Sequence, residues 1–427
     1  MRSVFLVSTT HHLLAIEPES TTASLVHTGK GLYFGLAADI DGRIYVGCRN
    51  AVAGPESAEV RAAERGSILV FDPRLELVGE ITAPFALRDV HGIACFDDRL
   101  WVTCSFDNFI AVHDLSSGRW TRWYPAPDAT EPGCDSHHFN TVKFLDGEVW
   151  LVAHRFGPSE MLRFTYPDLQ LDSAVSLGVM AHDIFNFGGA PATCSSGEGV
   201  LVNTRGERLR TGSFPRGMAE DTRGKLLGLS LNAPRAERHT QSAVLRWFTP
   251  EWRFESDYLL PGAGMVLDIL ALPPGCVHGI QRKERWPAMQ VCAGSYNPLA
   301  PGNTYDLRSG PHAGAMPGWH APEATLRWTA ARNASVKVLT APRERKLGLM
   351  LASYYAEPYR VDVLADGELL GAIDFTEPGE RNVELLLTPG ASLERTITFR
   401  VPHLWVPPGG NDPRMLGVAV RELSVEF

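Results

Sequence analysis

Three observations predict an all-β chain: a six-bladed β-propeller closed by its N-terminal strands, followed by a C-terminal β-sandwich. Apolar and polar residues alternate in short runs, the two-residue period of half-buried strands. Asp-Gly and related pairs, such as Asp41-Gly42 and Asp146-Gly147, break these runs into hairpins. The resulting module recurs at roughly 40 to 55 residues, the spacing of four-stranded propeller blades. Few segments keep a 3.6-residue period over about ten residues, so a helical reading fails.

The elements follow in order. Val4–Val7, Leu13–Ile16 and Ala23–Val26 read as three antiparallel strands with no leading strand before them. Phe34–Ala38 then opens the first full module, with a turn at Asp41-Gly42 and later strands at Arg43–Gly47 and Ser67–Phe71. His91–Ala94 opens the second, Asn140–Val142 the third, His182–Ile184 the fourth and Arg216–Ala219 the fifth. Val266–Ala271 opens a sixth that stops at Pro273-Pro274-Gly275. Six leading strands, one incomplete blade and three spare strands are reconciled by ring closure, in which residues 3–28 complete the sixth blade and remove an open sheet edge. The propeller is therefore expected over 1–275. Residues 276–322, rich in Pro and Gly but carrying Trp286 and Trp319, read as an ordered connector. Alternation resumes over 323–427, with an Asp366-Gly367 hairpin among about eight short strands, the pattern of a β-sandwich accessory domain.

Composition bounds the function. Charged residues make up 21% and apolar residues 44% of the 427 residues, ordinary values for a globular protein. With 49 acidic and 40 basic residues the net charge is -9, which gives no footing for nucleic acid. The first residues are too short an apolar run for an export signal, and no stretch reaches the length of a membrane span. A cytoplasmic location is expected, with the seven cysteines reduced, and no nucleotide cofactor is expected. Oligomeric state is not legible.

The candidate site follows from the repeat. In a propeller the leading strand of each blade lines the central channel. Counting back ten residues from Trp101 and Trp150 gives His91 and Asn140. The same alignment gives Phe34, His182 and Arg216, and in the last blade Leu267 or Asp268. His137, His138 and Asp183 adjoin this ring. Polar residues converging from five blades point to a ligand site, because unpaired polar groups in a narrow channel are costly. Histidine serves as acid, base or ligand near neutral pH, which makes His91, His138, His182 and Arg216 the catalytic candidates. His137, Asn140, Asp183 and Arg216 are the substrate-binding candidates, with Arg216 suited to a carboxylate, sulfate or phosphate. Imidazole with Asp or Asn oxygen suits a divalent transition metal, for which His91, Asn140, His182 and Asp268 are the ligand set. The opposing reading is a polar channel whose residues satisfy one another. His154 and Arg155 read as structural or solvent-facing, and Ser195-Ser196 lack the frame of a serine nucleophile. Tyr354, Tyr355 and Trp405 read as packing.

Gly35-Leu36-Ala37, Asp41-Gly42-Arg43-Ile44-Tyr45 and His91-Gly92-Ile93-Ala94 resemble the six-bladed propeller superfamily of senescence-marker-like lactonases, strictosidine-synthase-like proteins and streptogramin lyases. That resemblance implies the fold. The lactonases set a Glu, an Asn and an Asp around a divalent ion; Asn140 and Asp268 match two of them, while the first blade offers Phe34 and no carboxylate. His137-His138-Phe139-Asn140 also resembles an element of bacterial arylsulfotransferases, which are periplasmic. Val401-Pro402, Pro407-Pro408 and Asn411–Val420 resemble β-sandwich modules appended to bacterial glycosyltransferases and other surface-polysaccharide proteins. Two functions are thus expected: a hydrolase or lyase acting on a small, anionic, carbohydrate-related ligand, or a non-catalytic glycan-binding or scaffold protein of surface-polysaccharide biosynthesis.

Overall fold

The architecture is that of a computed structural model. It describes the chain except residues 1–2, 21, 51–56, 128–129, 212–213, 231–237, 240–241, 261, 273–279, 281–282, 287–289, 293–302, 307–317, 321–322, 324–325, 340–344, 389–393, 408–413 and 427. Two compact units are present: Met1–Arg253 with Tyr258–Gln290, and Phe254–Asp257 with Val291–Phe427.

The first unit is a β-propeller of antiparallel sheets. Tyr33–Ala38, Ile44–Cys48, Ser67–Phe71 and Leu77–Ile81 form the first sheet in that order, and Val90–Phe96, Arg99–Cys104, Phe109–Asp114 and Trp120–Trp123 the second. Phe139–Leu145, Glu148–Ala153, Pro158–Phe164 and Leu171–Val179 form the third; Ala181–Phe187, Ala190–Ser195, Val200–Asn203 and Arg208–Arg210 the fourth. The fifth runs from Phe214–Glu220 through Lys225–Ser230 and Ala243–Phe248 to Phe254–Leu260. In the sixth, Val266–Ala271 pairs with Phe5–Thr9, followed by His12–Glu17 and Thr22–Thr28. Phe5 lies opposite Ala271 and Val7 opposite Ile269, so the N-terminal strands close the ring. The leading strands neighbour one another in cyclic order, the sixth meeting the first.

Each sheet is covered on both faces, which is why the inner strands read as nearly continuous apolar runs. Ile44–Cys48 is buried at every position, whereas the outermost strand Leu77–Ile81 is mostly exposed. Phe139, Val142 and Leu151 of the third sheet pack against Trp101 and Ile110 of the second, and the same layering recurs around the ring. Asp146 and Gly147 both hold positive φ, as a tight hairpin turn between right-twisted strands requires. At the axis the inner strands meet backbone to backbone. A Cβ added at Gly35 would stand 2.4 Å from the Ile93 nitrogen, and one at Gly92 would stand 2.8 Å from the Asn140 oxygen.

Between 276 and 322 most residues lie outside the described ones, so the connector expectation applies to fragments. Glu284–Arg285 adds to the Thr22–Thr28 edge of the sixth sheet. In the second unit, Asn303–Asp306, Ala419–Glu426, Arg345–Ser353 and Gly379–Leu387 form one sheet. Asn333–Leu339, Glu394–Arg400, Tyr359–Ala365 and Glu368–Phe375 form the other, and a single apolar core built around Trp328, Tyr359, Phe375 and Phe399 joins them. Asn411–Pro413 of the polysaccharide-type motif fall outside the described residues.

Candidate active site

The site begins with a repeated irregularity. In every propeller sheet the register between the inner strand and its neighbour slips, in the first between Tyr33 and Leu36 and in the second between Val90 and Ile93. It slips likewise between Phe139 and Thr141, His182 and Phe185, Pro215 and Met218, and across Leu267. Such bulges re-aim side chains. They set Phe34, His91, Asn140, His182, Arg216 and Leu267 at one level of the channel. Gly35, Gly92, Thr141, Asp183, Gly217 and Asp268 stand at the next. The last-blade ambiguity is thereby resolved: Leu267 is the counterpart of His91 and Arg216, and Asp268 belongs to the lower ring.

That lower ring is a belt of interstrand ties. The Asp183 amide donates to Thr141 Oγ1 at 3.0 Å, and the Asp183 carboxylate accepts from the amides of Ile184 at 2.7 Å and Met218 at 2.7 Å. The Asp268 carboxylate accepts from Leu36 at 2.8 Å and Ile269 at 2.8 Å. Lys143 Nζ stands 3.6 Å from Asp183 Oδ1. Burial pushes Asp268 up to about 6, against the pull of Lys143. The carboxylates replace pairing that twisted sheets at an axis cannot supply to one another.

His91, Asn140, His182, Arg216, Asp183 and Asp268 line one cavity in the channel, so the structure does bring them together. Its volume is only about 20 Å³, room for about one water. Asn140 is engaged on both sides of its amide: Nδ2 donates to the Ala181 carbonyl at 2.8 Å and Oδ1 accepts from Thr141 Oγ1 at 3.1 Å.

The mouth carries an arc of four imidazoles. Ring centroids of His91 and His138 are 4.9 Å apart, those of His138 and His154 5.2 Å, and those of His154 and His182 4.9 Å. Phe34 and Phe214 close the ends of the arc, and the exposed ring of Phe156 lies 4.5 Å from that of His138. Asp89, Asp135, His138, Arg155 and Phe156 hold positive φ, a concentration of disfavoured backbone of the kind found at functional sites.

Hydrogen bonds assign the tautomers. His91 Nδ1 lies 2.9 Å from the Asp89 carbonyl, which can only accept. His138 Nδ1 lies 2.8 Å from Asp135 Oδ1. His182 Nδ1 lies 2.8 Å from Ser196 Oγ, whose own proton goes to the Pro215 carbonyl. As neutral rings, these three carry the proton on Nδ1 and present an Nε2 lone pair. His154 is reversed: its Nδ1 accepts from the Phe156 amide at 3.1 Å, so its Nε2 carries the proton. Among the described residues, no Nε2 of the four has a protein partner and none is sealed from solvent. Burial pushes His91 and His182 well below the ordinary histidine value and His154 down to about 3. Arg216 lowers His182 further, while Asp89 pulls His91 the other way. All four rings are buried, between 4% and 8% exposed.

Behind the arc lies a buried ion network. Arg49 grips Glu64 through two bonds of 3.0 and 2.7 Å and reaches Asp89 at 2.8 Å. Arg61, on the short helix Ala58–Ala63, reaches Asp89 at 2.8 Å and also pairs with Asp135. Burial alone would raise Asp89, but His91, Arg49, His138 and Arg61 hold it well below the carboxylate range. Arg216 differs from these. It is 6% exposed, its Nε donates to the Leu267 carbonyl at 3.3 Å, and it lies 5.4 Å over Phe34. Among the described residues no carboxylate pairs with it, and its terminal nitrogens have no partner. Burial and Arg238 push it down to about 9, still a cation at neutral pH.

Of the expected site residues, His137 lines neither the arc nor the channel cavity: its ring stacks 5.2 Å from Phe139 and its Nδ1 faces Ser136. The expected metal set is divided between levels, with His91 and His182 in the arc and Asp268 in the belt. By distance, the described residues that could share an ion are Asp89, His91 and His138. The donor chemistry is poor, because both Asp89 oxygens face guanidinium nitrogens at 2.8 Å and an added cation would stand against Arg49 and Arg61. His154, Asp89, Asp135, Arg61 and Arg238 were not among the expected site residues. His154 had a signal: it follows the strand paired with Phe139, and its amide donates to the His138 carbonyl at 3.3 Å.

No protein-family model matches the chain, and no curated protein matches it. Among solved structures it is similar to a chain of a nidogen/laminin complex, with 12% identity, a TM-score of 0.47, and coverage of 64% of this chain and 98% of that one. It is similar to the periplasmic gluconolactonase of Pseudomonas aeruginosa at 11% identity, TM-score 0.40, covering 64% and 99% of the two chains. A streptogramin B lyase gives 12% identity, TM-score 0.35 and coverage of 56% and 93%.

Proposed function

We propose that the protein is a hydrolase or lyase that acts at the propeller mouth on a small, anionic, carbohydrate-related ligand. The observation that carries this reading is the histidine arc. Four buried imidazoles are each held at Nδ1 by the protein and, among the described residues, left open at Nε2. A neutral imidazole with an open Nε2 lone pair is a competent general base, and one with an Nε2 proton is a hydrogen-bond and proton donor. Polar groups that served only to fill the channel would satisfy one another, as the belt beneath them does. Arg216 supplies fixed positive charge for an anion. The reading uses only the chain's own acid and base groups, with Asp135 orienting His138 and Ser196 orienting His182.

The test is turnover by the full-length protein of sugar lactones and of uronic-acid glycosides, followed by NMR. Loss of turnover in His91→Gln, His138→Gln and His182→Gln, with unchanged circular dichroism, supports it. Turnover that survives all three substitutions sinks it. Ligand binding at the mouth with no turnover would instead make the protein a glycan-binding module.

A further inference from the structure

We infer that the ligand is a polyhydroxy monocarboxylate, a sugar acid, whose carboxylate is taken by Arg216 with His154 as second donor and whose hydroxyls donate to His91, His138 and His182. The inference rests on the mouth being a ligand site, as proposed above, but not on turnover.

The argument is a count of unused valences. Three Nε2 lone pairs need donors, and neutral hydroxyls are donors that bring no charge into a buried site. Metal ions also accept lone pairs, yet no three of these histidines bring their nitrogens together as a ligand set among the described residues. On the other side, the Nε2 proton of His154 and the terminal nitrogens of Arg216 need acceptors. Burial of a guanidinium without a counter-ion is unfavourable, so an anion is the partner the site lacks.

The charge of that anion follows from its neighbours. Arg49 is matched by Glu64 and Asp89, and Arg61 by Asp89 and Asp135. Arg238 has interactions of its own. Arg216 is left without a counter-charge among the described residues, and it matches a single negative charge. A phosphate dianion would bring a second charge into a site where burial holds His91, His154 and His182 below the ordinary histidine value. Between monoanions, the planar fork of a guanidinium pairs with the two oxygens of a carboxylate, and the Arg216 guanidinium lies 5.4 Å over the Phe34 ring. The exposed Phe156 ring beside His138 offers an apolar face for a sugar ring.

The experiment measures binding to the full-length protein by calorimetry, with D-galacturonate, D-galactose, D-galactose 6-sulfate and D-galactose 6-phosphate as probes. Galacturonate is expected to bind roughly 10- to 100-fold more tightly than galactose, the worth of a hydrogen bond to a charged partner. Arg216→Met should abolish that preference, and Arg216→Lys should restore only part of it. His182→Gln should weaken galacturonate and galactose together. Tighter binding of the sulfate or the phosphate overturns the carboxylate assignment. Equal binding of galactose and galacturonate, unaltered by Arg216→Met but weakened by His182→Gln, overturns the sugar-acid inference and leaves the mouth as the site. If neither substitution alters binding of any probe, or no probe binds at millimolar concentration, the inference fails; unaltered binding in His182→Gln removes the mouth reading as well.

Discussion

The mouth of the propeller channel and the belt just beneath it share the inner strands, with His138 and His154 added to the mouth from beside them, and both are polar, but they differ in what is left over. In the belt, Asp183 and Asp268 each accept two backbone amides, and Lys143 stands by Asp183 as counter-charge. In the mouth, among the described residues, His91, His138, His154 and His182 each use one ring nitrogen and keep the other open, and Arg216 keeps its terminal nitrogens. Convergence of polar residues on an axis is therefore no evidence of function by itself. Strands that meet at Gly35 and Gly92 without room for a side chain need polar side chains elsewhere to satisfy exposed amides, and the belt meets that need. The unused valence is what separates a site from a clasp.

The comparison breaks most easily in the belt, where the largest effect is expected. Asp183→Ala leaves the Ile184 and Met218 amides without an acceptor and Lys143 without its neighbour. We expect a loss of about 3–5 kcal/mol in urea denaturation, the cost of orphaned buried polar groups. A loss below about 1 kcal/mol would show that the belt is no structural clasp.

Acid should find the mouth next. Unfolded, the imidazoles bind protons near their ordinary 6.5, whereas folded His154 resists until about 3 and folded His91 and His182 also lie well below that value. Between those limits the unfolded chain holds more protons, so stability falls as pH is lowered from about 6.5 toward 3. Thermal melts across this range should show the decline, and His154→Gln should flatten it. A slope identical in the variant would mean that His154 is not held neutral.

Arg216→Met sharpens the contrast with a change of opposite sign. Removing a buried cation that lacks a counter-ion should leave stability unchanged or raise it by about 1 kcal/mol, while anion binding is lost. A loss of several kcal/mol would reveal a structural partner for Arg216. The smallest effect is expected for His91→Gln, a change within about 1 kcal/mol in stability, with ligand binding or turnover impaired.

Much of the fold was legible because its signals are local. Alternation, the Asp146-Gly147 turn and the return of the module every blade are written in short stretches, and ring closure followed from the spare strands before Phe34. The alignment that placed His91, Asn140, His182 and Arg216 around one axis is a consequence of repetition: equivalent strands must face the same centre. What repetition alone left open was the sixth blade, where one bulged residue separates Leu267, at the level of the mouth, from Asp268, in the belt.

The division between mouth and belt was decided by tertiary structure. His137 and His138 are adjacent in sequence, yet His138 is turned by a positive φ onto Asp135 and the arc, while His137 lies on Phe139. His154 enters from the far side of a hairpin, Arg61 from a helix inserted in the first sheet, and Asp89 from the residue before the second inner strand. The sequence by itself pointed to the inner-strand residues of the channel, because side-chain direction follows from strand period and repeat. Which of their atoms remain without a partner was decided only by the folded chain, because hydrogen-bond satisfaction depends on groups that are remote in sequence and meet only when the ring closes.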